Sequence, residues 1–342
     1  MSSRHNSEAH QQIESLHLVK RPLNSEDGSH QGSSLTLGDG CELLPSEMVE
    51  RLCHFPSLQH LQVSYCPNVT SLRRLNCGTC LESLKLFDCD NLRELPENLY
   101  KFQAFRDLSI RVCPLIDLGE NRNDGQKSLL KSLKSLTISD CDGLTTIASE
   151  MLESCSPLQS LQVYECPNLV SFPLDLQQTP SLETCILTNC PELINDMPKG
   201  FAFLTCLTTM MIGPFSDYSL VDWSGLLSSS TLCELELNGM SDMESLPHQL
   251  QYLTTLTSLS LFDFGRIKAL PHWIGNLASL ERLVLESCEE LQYLPSMAAM
   301  RRLTKLTYLR IIDCSLLIDR CNFESGDDSE WSKISHMELD ID

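Results

Sequence analysis

The sequence predicts a repeat solenoid of the α/β class, because one phrase of about two dozen residues recurs along most of the chain. The core of the phrase reads Leu-x-x-Leu-x-Leu-x-x-Cys-x-x-Leu, and its clearest copy contains Leu133, Leu136, Ile138, Cys141 and Leu144. This period and spacing indicate a leucine-rich-repeat solenoid with the shape of a horseshoe. The regular copies begin at Leu58, Leu81, Phe105, Leu133, Leu158, Leu182, Leu207, Leu232, Leu256, Leu280 and Leu306.

The Leu-x-Leu pair at the centre of each copy predicts one short strand. Successive strand side chains face opposite sides, so both leucines point inward and the residue between them points outward. Strands from successive copies then stack into one parallel sheet on the concave side. The clearest strands are predicted at Leu61–Val63, Leu84–Leu86, Leu108–Ile110, Leu136–Ile138, Leu161–Val163, Leu235–Leu237, Leu259–Leu261, Leu283–Leu285 and Leu309–Ile311.

The second half of several copies predicts short helices or helical turns on the convex side. Leu270-Pro271 is followed by Ile274, Leu277 and Leu280, and a spacing of three or four residues places apolar side chains on one helical face. A proline suits the first helical turn, because its missing N–H has no acceptor there. Each repeat leaves an apolar face open, so only stacked neighbours close the core.

The chain has three regions. Residues 1–40 form a polar N-terminal segment in which Leu35 and Leu37 indicate degraded repeats, and residues 41–318 form the regular solenoid of about eleven copies. Polar residues 119–128 lengthen the spacing before Leu133 to 28 residues and predict an exposed loop. Residues 319–342 leave the pattern and predict a C-terminal cap, since an end repeat needs a polar outer surface.

Most of the cysteines fall at one repeat position. A thiol at this position can donate a weak hydrogen bond and otherwise packs as a small apolar group. The odd total of 17 and an N-terminus without an export signal predict reduced, structural thiols in a cytoplasmic compartment. The lone pair Cys77 and Cys80 has no second pair at zinc spacing, so no metal site is expected. The residues at the shared position are Cys66, Cys89, Cys113, Cys141, Cys166, Cys190, Cys288 and Cys314.

Composition and motifs favour a protein partner over a chemical reaction. The formal net charge of −21 argues against a nucleic-acid partner, whose phosphates require a basic surface. No apolar run reaches the roughly 18 residues that a membrane span needs. The sequence contains no serine-hydrolase or zinc-protease motif, and its nine histidines are scattered. We therefore expect no catalytic, cofactor-binding or metal-binding residues, and no enzymatic activity.

The candidate protein-binding surface is the concave face at the ends of the strands. The residue directly before the cysteine position is Asp, Glu or Asn in six of the eleven copies. Because strands stack roughly 4.8 Å apart, these residues form an acidic stripe edged by aromatic side chains, which anchor protein interfaces. Alternatively, Asp and Asn are there because they suit the turn after each strand. The candidate binding residues are Tyr65, Phe87, Asp88, Asp140, Tyr164, Glu165, Asn189, Phe262, Asp263 and Asp313.

The repeat variant and the C-terminal segment together resemble a known family. The phrase followed by Leu-Pro is similar to the C-terminal domain of plant intracellular disease-resistance proteins of the coiled-coil, nucleotide-binding, leucine-rich-repeat class. A Cys, a Gly-Asp pair, a Trp and a Lys-Ile-x-His also recur at the ends of those proteins. The matching residues here are Cys321, Gly326-Asp327, Trp331, Lys333-Ile334 and His336.

The resemblance implies a recognition module of plant immunity, which senses effectors and makes an autoinhibitory contact. The implied partner is a pathogen effector, a guarded host protein or the receptor's own nucleotide-binding domain. A complete receptor of this class also has a phosphate-binding loop, Gly-x-x-x-x-Gly-Lys-Ser/Thr, which this sequence lacks. The chain is therefore expected to be a truncated receptor, a gene fragment or a free-standing repeat protein.

Two other classes of repeat protein remain as alternatives. An F-box-like substrate adaptor of a ubiquitin ligase also has cysteine-bearing repeats, but those repeats lack the Leu-Pro turn, and no apolar helical F-box segment precedes residue 41. A general intracellular leucine-rich-repeat scaffold has a more regular period and lacks the Trp-Ser-Lys-Ile-x-His ending.

Overall fold

The structure is a computed structural model in which the chain divides into two compact units, residues 1–155 and residues 156–342. Residues 1–32, the predicted loop at 119–128 and the pair Gly326-Asp327 lie outside the described residues. The described residues are 33–38, 45–47, 49, 58–75, 80–97, 99–118, 130–148, 152, 155–172, 175–195, 199–215, 218, 222–224, 226, 231–321 and 329–341.

The described part of the first unit contains five strands, each paired in parallel with the next in sequence. The register aligns equivalent repeat positions, so that Leu61 pairs with Leu84 and Leu84 pairs with Leu108. Leu35 and Leu37 of the predicted degraded segment join this arrangement by pairing with β2. The strands are β1 Ser33–Leu37, β2 Leu58–Ser64, β3 Ser83–Phe87, β4 Asp107–Arg111 and β5 Ser135–Ser139.

The described part of the second unit follows the same plan with eight strands, again all parallel and in sequence order. The nine strands predicted from the Leu-x-Leu pairs are confirmed across the two units. Strand β13 lies in the C-terminal segment, where no strand was predicted. The strands are β6 Ser160–Tyr164, β7 Thr184–Thr188, β8 Thr209–Gly213, β9 Glu234–Asn238, β10 Ser258–Phe262, β11 Arg282–Glu286, β12 Tyr308–Ile312 and β13 Glu338–Ile341.

Strand alternation places the core on one side of each sheet. In β5, Leu136 and Ile138 are fully buried, whereas Ser135 and Thr137 on the opposite face are partly exposed. Burial of each leucine side chain contributes about 1.5–3 kcal/mol to folding. Because every repeat supplies only a few such side chains, stability depends on the stacking of one repeat on the next.

The segments that return from one strand to the next contain short helices, as predicted. Most are 3₁₀ helices, which suit single turns because their hydrogen bonds weaken over longer runs. Pro247 and Pro271 lie at the N-cap of two of them, one residue before the helix begins. Among the described residues, the complete 3₁₀ helices are Leu99–Lys101, Leu176–Gln178, Pro191–Asn195, Phe201–Phe203, His248–Tyr252 and His272–Asn276, and the complete α-helices are Met297–Met300, Ser315–Arg320 and Trp331–Ile334.

The C-terminal segment attaches to the last repeats by hydrogen bonds between a buried ion pair and Leu294, and by a strand. The Glu330 carboxylate accepts hydrogen bonds from the backbone N–H of Leu294 at 3.0 Å and from Nζ of Lys333 at 2.6 Å. Ile334 is fully buried and Trp331 is partly buried, and β13 pairs with β12. A buried carboxylate needs such partners, because leaving it unpaired would cost several kcal/mol. The predicted domain boundaries at residues 40 and 318 stay a prediction.

The shared cysteine position forms what we call the cysteine row, namely Cys66, Cys89, Cys113, Cys141, Cys166, Cys190, Cys288 and Cys314. None of the fourteen described cysteines forms a disulfide with another described cysteine. In seven residues of the row, Sγ donates to the backbone carbonyl two residues earlier, at 3.1–3.5 Å. The thiol therefore combines apolar burial with a weak donor that satisfies the end of the strand.

A tyrosine replaces this donor at one of the three repeats that lack a cysteine at the shared position. In most repeats the strand-end carbonyl also receives an N–H from the preceding repeat, as Arg111 does from Asp88 at 3.1 Å. At Asn238 neither donor is possible, because Pro214 has no N–H and Met240 has no thiol. Instead the buried hydroxyl of Tyr218 donates to the Asn238 carbonyl at 2.6 Å.

Gly213 makes room for that hydroxyl. Its φ is 113°, a conformation that residues with a side chain rarely adopt, and a Cβ at this position would lie 2.0 Å from the Tyr218 hydroxyl oxygen. The Tyr218 ring packs edge-on against Phe215, with ring centroids 6.1 Å apart. Gly213, Phe215 and Tyr218 thus act together as one local replacement for the thiol.

Leu259→Asp tests the strand register. Leu259 is fully buried between its partners Leu235 and Leu283, so a carboxylate there has no hydrogen-bond donor. We expect the free energy of unfolding to fall by about 4 kcal/mol. Urea denaturation measures this loss. The control Ser258→Asp, on the opposite face of the same strand, should change the value by about 0.5 kcal/mol at most. Equal stability of the Leu259 variant and the wild type would show that the register is wrong.

Tyr218→Phe tests the replacement donor. The ring still fills its site, but the Asn238 carbonyl loses the hydroxyl, so we expect a loss of about 1–3 kcal/mol in the free energy of unfolding. The control Tyr252→Phe removes a hydroxyl from a side chain that is 59% exposed and should be nearly neutral. If the two variants were equally stable, the hydroxyl of Tyr218 would not be needed at this strand end.

Candidate protein-binding edge

One residue at the end of nearly every strand has left-handed backbone geometry. Nine described non-glycine residues have φ between 49° and 58°, and all of them lie directly before the cysteine position. This geometry turns the chain out of the strand. In seven of the nine residues, the backbone N–H then donates to the strand-end carbonyl of the next repeat. We call these residues the turn row: Tyr65, Asp88, Val112, Asp140, Glu165, Asn189, Asp263, Ser287 and Asp313.

The left-handed backbone geometry explains part of the acidic composition of the turn row. Left-handed geometry costs an ordinary residue roughly 1–2 kcal/mol, and Asn and Asp tolerate it better than other residues with side chains. Asp88, Asp140, Asn189, Asp263 and Asp313 are therefore explained by the turn alone. A role of these side chains in binding stays a prediction, and the turn is a sufficient reason for their identity.

Tyr65 and Val112 are not explained in this way. Val112 is β-branched, which makes a φ of 52° a conformational outlier, and its side chain is 38% exposed. Tyr65 has the same backbone geometry and is 54% exposed. Two apolar side chains thus lie in solvent at positions where Asn or Gly would be more stable. Val112 was not among the candidate binding residues, because the sequence pattern drew attention to the acidic, Asn and aromatic members of the row.

The predicted aromatic residues occupy the outward face of the last strand position. Phe87, Tyr164 and Phe262 are each partly buried. In register, Phe262 lies between Asn238 and Glu286, and Tyr164 pairs with Thr188. The aromatic side chains therefore lie singly among polar neighbours.

Two predicted residues of the turn row contact each other directly. The side-chain amide of Asn189 donates to the Glu165 carboxylate at 2.8 Å. Glu165 is a poor fit to left-handed geometry, and this hydrogen bond holds its carboxylate at the exposed edge. The structure thus brings Glu165 and Asn189 together, whereas Asp263 and Asp313 follow β10 and β12, which are farther along the second unit.

A second acidic group on the outward face was not predicted. Glu234 and Glu236 alternate with buried leucines along β9, and Glu236 is paired with Met211 and Ser260 on the adjacent strands. Burial raises the pKa of Glu236, and the nearby carboxylates of Glu234 and Glu286 raise it further, whereas a hydrogen bond from Asn238 lowers it. The alternation Glu-Leu-Glu-Leu in the sequence could have predicted that these two carboxylates lie on the outward face of the strand.

The described residues contain neither a cluster of metal ligands nor a helix that could cross a membrane. Within them, no three His, Cys, Asp or Glu side chains come together as ligands for a metal ion. None of the helices in the same part of the chain combines the length and the apolar character needed to cross a bilayer. The expected lack of enzymatic activity stays a prediction.

Solved structures resemble this fold along most of the chain. An internalin from Listeria monocytogenes superposes with a TM-score of 0.54 and 18% identity, over 93% of this chain and 91% of the internalin chain. A leucine-rich-repeat protein from Leptospira interrogans superposes with a TM-score of 0.50 and 19% identity, over 90% of this chain and 81% of the Leptospira chain. The fold is a leucine-rich-repeat solenoid. At these identities the likeness concerns the fold alone.

A curated plant protein is similar in sequence. The "Putative disease resistance protein" of Arabidopsis thaliana is 26% identical over 331 residues, which is 89% of this chain. The chain spans 22% of the length of that protein. No family model matches the sequence.

Val112→Asn tests the strain in the turn row. Asn tolerates left-handed geometry, so we expect the free energy of unfolding to rise by about 1 kcal/mol. The reverse change, Asp140→Val, should lower it by a similar amount, and Val170→Asn, an exposed valine outside the row, serves as the control. Chemical denaturation measures all three. A Val112 variant no more stable than the wild type would show that the side chain carries no conformational cost.

Proposed function

We propose that this solenoid is the protein–protein recognition module of an intracellular plant immune receptor. Its partner is then a pathogen effector, a guarded host protein or the receptor's own nucleotide-binding domain. Three findings support the proposal: the leucine-rich-repeat fold, the similarity to a plant disease-resistance protein over 89% of this chain, and the C-terminal Trp331 to His336 segment.

The observation that carries the binding role is the presence of Tyr65 and Val112 in the turn row. Backbone strain that is retained at exposed positions is more common at functional sites than elsewhere. Both side chains offer apolar area at the edge of the first unit, and Asp88 and Asp140 of the same row provide charge beside them. An apolar anchor with a charged surround is the usual anatomy of a protein interface.

The acidic and aromatic side chains have different roles in this proposal. Exposed carboxylates chiefly raise the association rate with a basic partner and make it depend on salt concentration. Aromatic side chains that become buried in the complex chiefly slow dissociation. In the second unit Tyr164 and Phe262 are the corresponding anchors, and Glu165 is the corresponding charge.

The first experiment is to sequence the genomic region upstream of the codon for Met1. An open frame that encodes Gly-x-x-x-x-Gly-Lys-Ser/Thr would supply the nucleotide switch of a receptor and a defined binding partner. That domain can then be produced separately and used as the probe. If the gene had no such frame, the receptor assignment would fail, although the repeat fold would not be affected.

Binding of that domain is expected to depend on the strand-end residues. Asp88→Asn with Asp140→Asn keeps the turn geometry and removes two charges, so association should slow and its salt dependence should flatten. Tyr164→Ala with Phe262→Ala should speed dissociation. Surface plasmon resonance at several salt concentrations measures both rates. Gln249→Ala with Gln251→Ala, in the helix His248–Tyr252, is the control. Loss of binding in this control alone would place the contact on the other side of the solenoid.

A further inference from the structure

The outward face of strands β7 to β11 carries a row of side chains that is apolar at both ends and polar in the middle. Each member is the third residue of its strand, so it points away from the core. Register places Met211 between Ile186 and Glu236, and it places Ser260 between Glu236 and Val284 on the following strands. We call this set the middle row: Ile186, Met211, Glu236, Ser260 and Val284.

The middle row has a gap above β10. Ser260 is short and Leu261 points into the core, so little side chain covers the backbone at this point. The next outward residue of the strand, Phe262, is partly buried and places a ring beside the gap. A group that lies above Leu261 is therefore between a hydroxyl and an aromatic ring. Flat cations bind such rings, because the face of the ring is negative.

Two carboxylates reach this gap from opposite sides. Glu236 lies on β9 beside Ser260. Glu286 lies on β11 beside Phe262. Two strand spacings of about 4.8 Å and two residues of about 3.3 Å separate the Cα atoms of the two glutamates, so a group midway lies roughly 6 Å from each, which a glutamate side chain spans. The side-chain amide of Asn238, the other neighbour of Phe262, donates to Oε1 of Glu236 at 3.4 Å and draws that carboxylate toward the ring.

Charges elsewhere on the same face are matched within the chain. The guanidinium of Arg282 lies 4.3 Å above the ring of Tyr308. Nε of Arg310 lies 3.5 Å from Oδ2 of Asp340, and the Tyr308 hydroxyl donates to the same oxygen at 3.2 Å. Among the described residues, no ion pair includes either glutamate of the gap. Partly buried carboxylates without a cation favour a partner that brings one.

We propose that the outward face of β7 to β11 binds an extended basic segment of a partner protein, whose arginine side chain enters the gap above Leu261. The guanidinium stacks on Phe262 and donates to Glu236 and Glu286. Apolar side chains on either side of that arginine pack on the two apolar ends of the middle row. Arginine fits this gap better than lysine, because its planar fork has five donors for the two carboxylates and a flat face for the ring.

The test titrates the full chain with three short peptides that differ in one side chain. The probes are acetyl-Val-Arg-Val-amide, its lysine analogue and its citrulline analogue, which keeps the shape of arginine without the charge. Methyl NMR should show shifts at Ile186 and Val284 with the arginine peptide, and none at Val170, which is exposed outside this face. We expect the lysine peptide to bind about threefold more weakly and the citrulline peptide about tenfold more weakly. Equal binding of the arginine and citrulline peptides would overturn the proposal.

Variants separate this site from general attraction of cations to an acidic chain. Glu236→Gln should weaken binding of the arginine peptide about tenfold and Phe262→Ala about fivefold, since each change removes one contact to the guanidinium. Glu244→Gln is the matched control, because it removes the same charge from a side chain that is 77% exposed and lies beyond the end of β9. This control should change the affinity by less than about twofold. An equal loss of affinity in both glutamate variants would show that binding is non-specific and would contradict the assigned site.

The arginine belongs to a partner protein, so this site rests on the proposed recognition function, but the two can fail separately. If the peptides bind as expected and the upstream reading frame encodes no nucleotide-binding domain, the arginine site stands and the receptor assignment fails. If that domain is present and the arginine peptide binds no better than the citrulline peptide, the arginine site fails alone.

Discussion

The structure depends on hydrogen bonds that pass from each repeat to the next at equivalent positions. Strand pairing aligns the buried leucines, and the N–H of most turn-row residues donates to the strand-end carbonyl of the following repeat. A shift of one residue would turn every buried leucine outward. The leucine spacing and the turn are therefore not independent, since the turn places the next strand where its leucines meet their partners.

The same constraint limits what the binding edge can contain. A residue in the turn row must accept left-handed geometry, so Asp and Asn are favoured whether or not they touch a partner. Acidic character along this edge is thus weak evidence for binding by itself. Side chains that the turn does not favour are more informative, and Tyr65, Val112 and Glu165 are the clearest of these. In repeat proteins, departures from the structural optimum of a position identify candidate contact residues better than agreement with it.

The sequence predicts the periodic parts of this protein well and the interruptions poorly. The buried Leu136 and Ile138, the strand positions and the short helices follow from spacing, because equivalent residues meet identical surroundings in every copy. Tyr218 could not be predicted, because its partner carbonyl belongs to Asn238, twenty residues away in the next repeat. Val112 was missed for a related reason. It stands out only because its φ is positive, and the pattern of side chains in the sequence does not show a backbone angle.

Tyr218 also restricts which repeats the protein can gain or lose during evolution. The copies with Cys89, Cys113 and Cys141 each supply their own thiol and receive an N–H from the preceding copy, so their junctions are chemically alike. Gene duplication or unequal crossing-over could add or remove one of them and leave each new junction satisfied. The copies that contain Gly213 and Asn238 differ, because one supplies the hydroxyl and the other supplies the carbonyl that needs it. These two copies should therefore be inherited together.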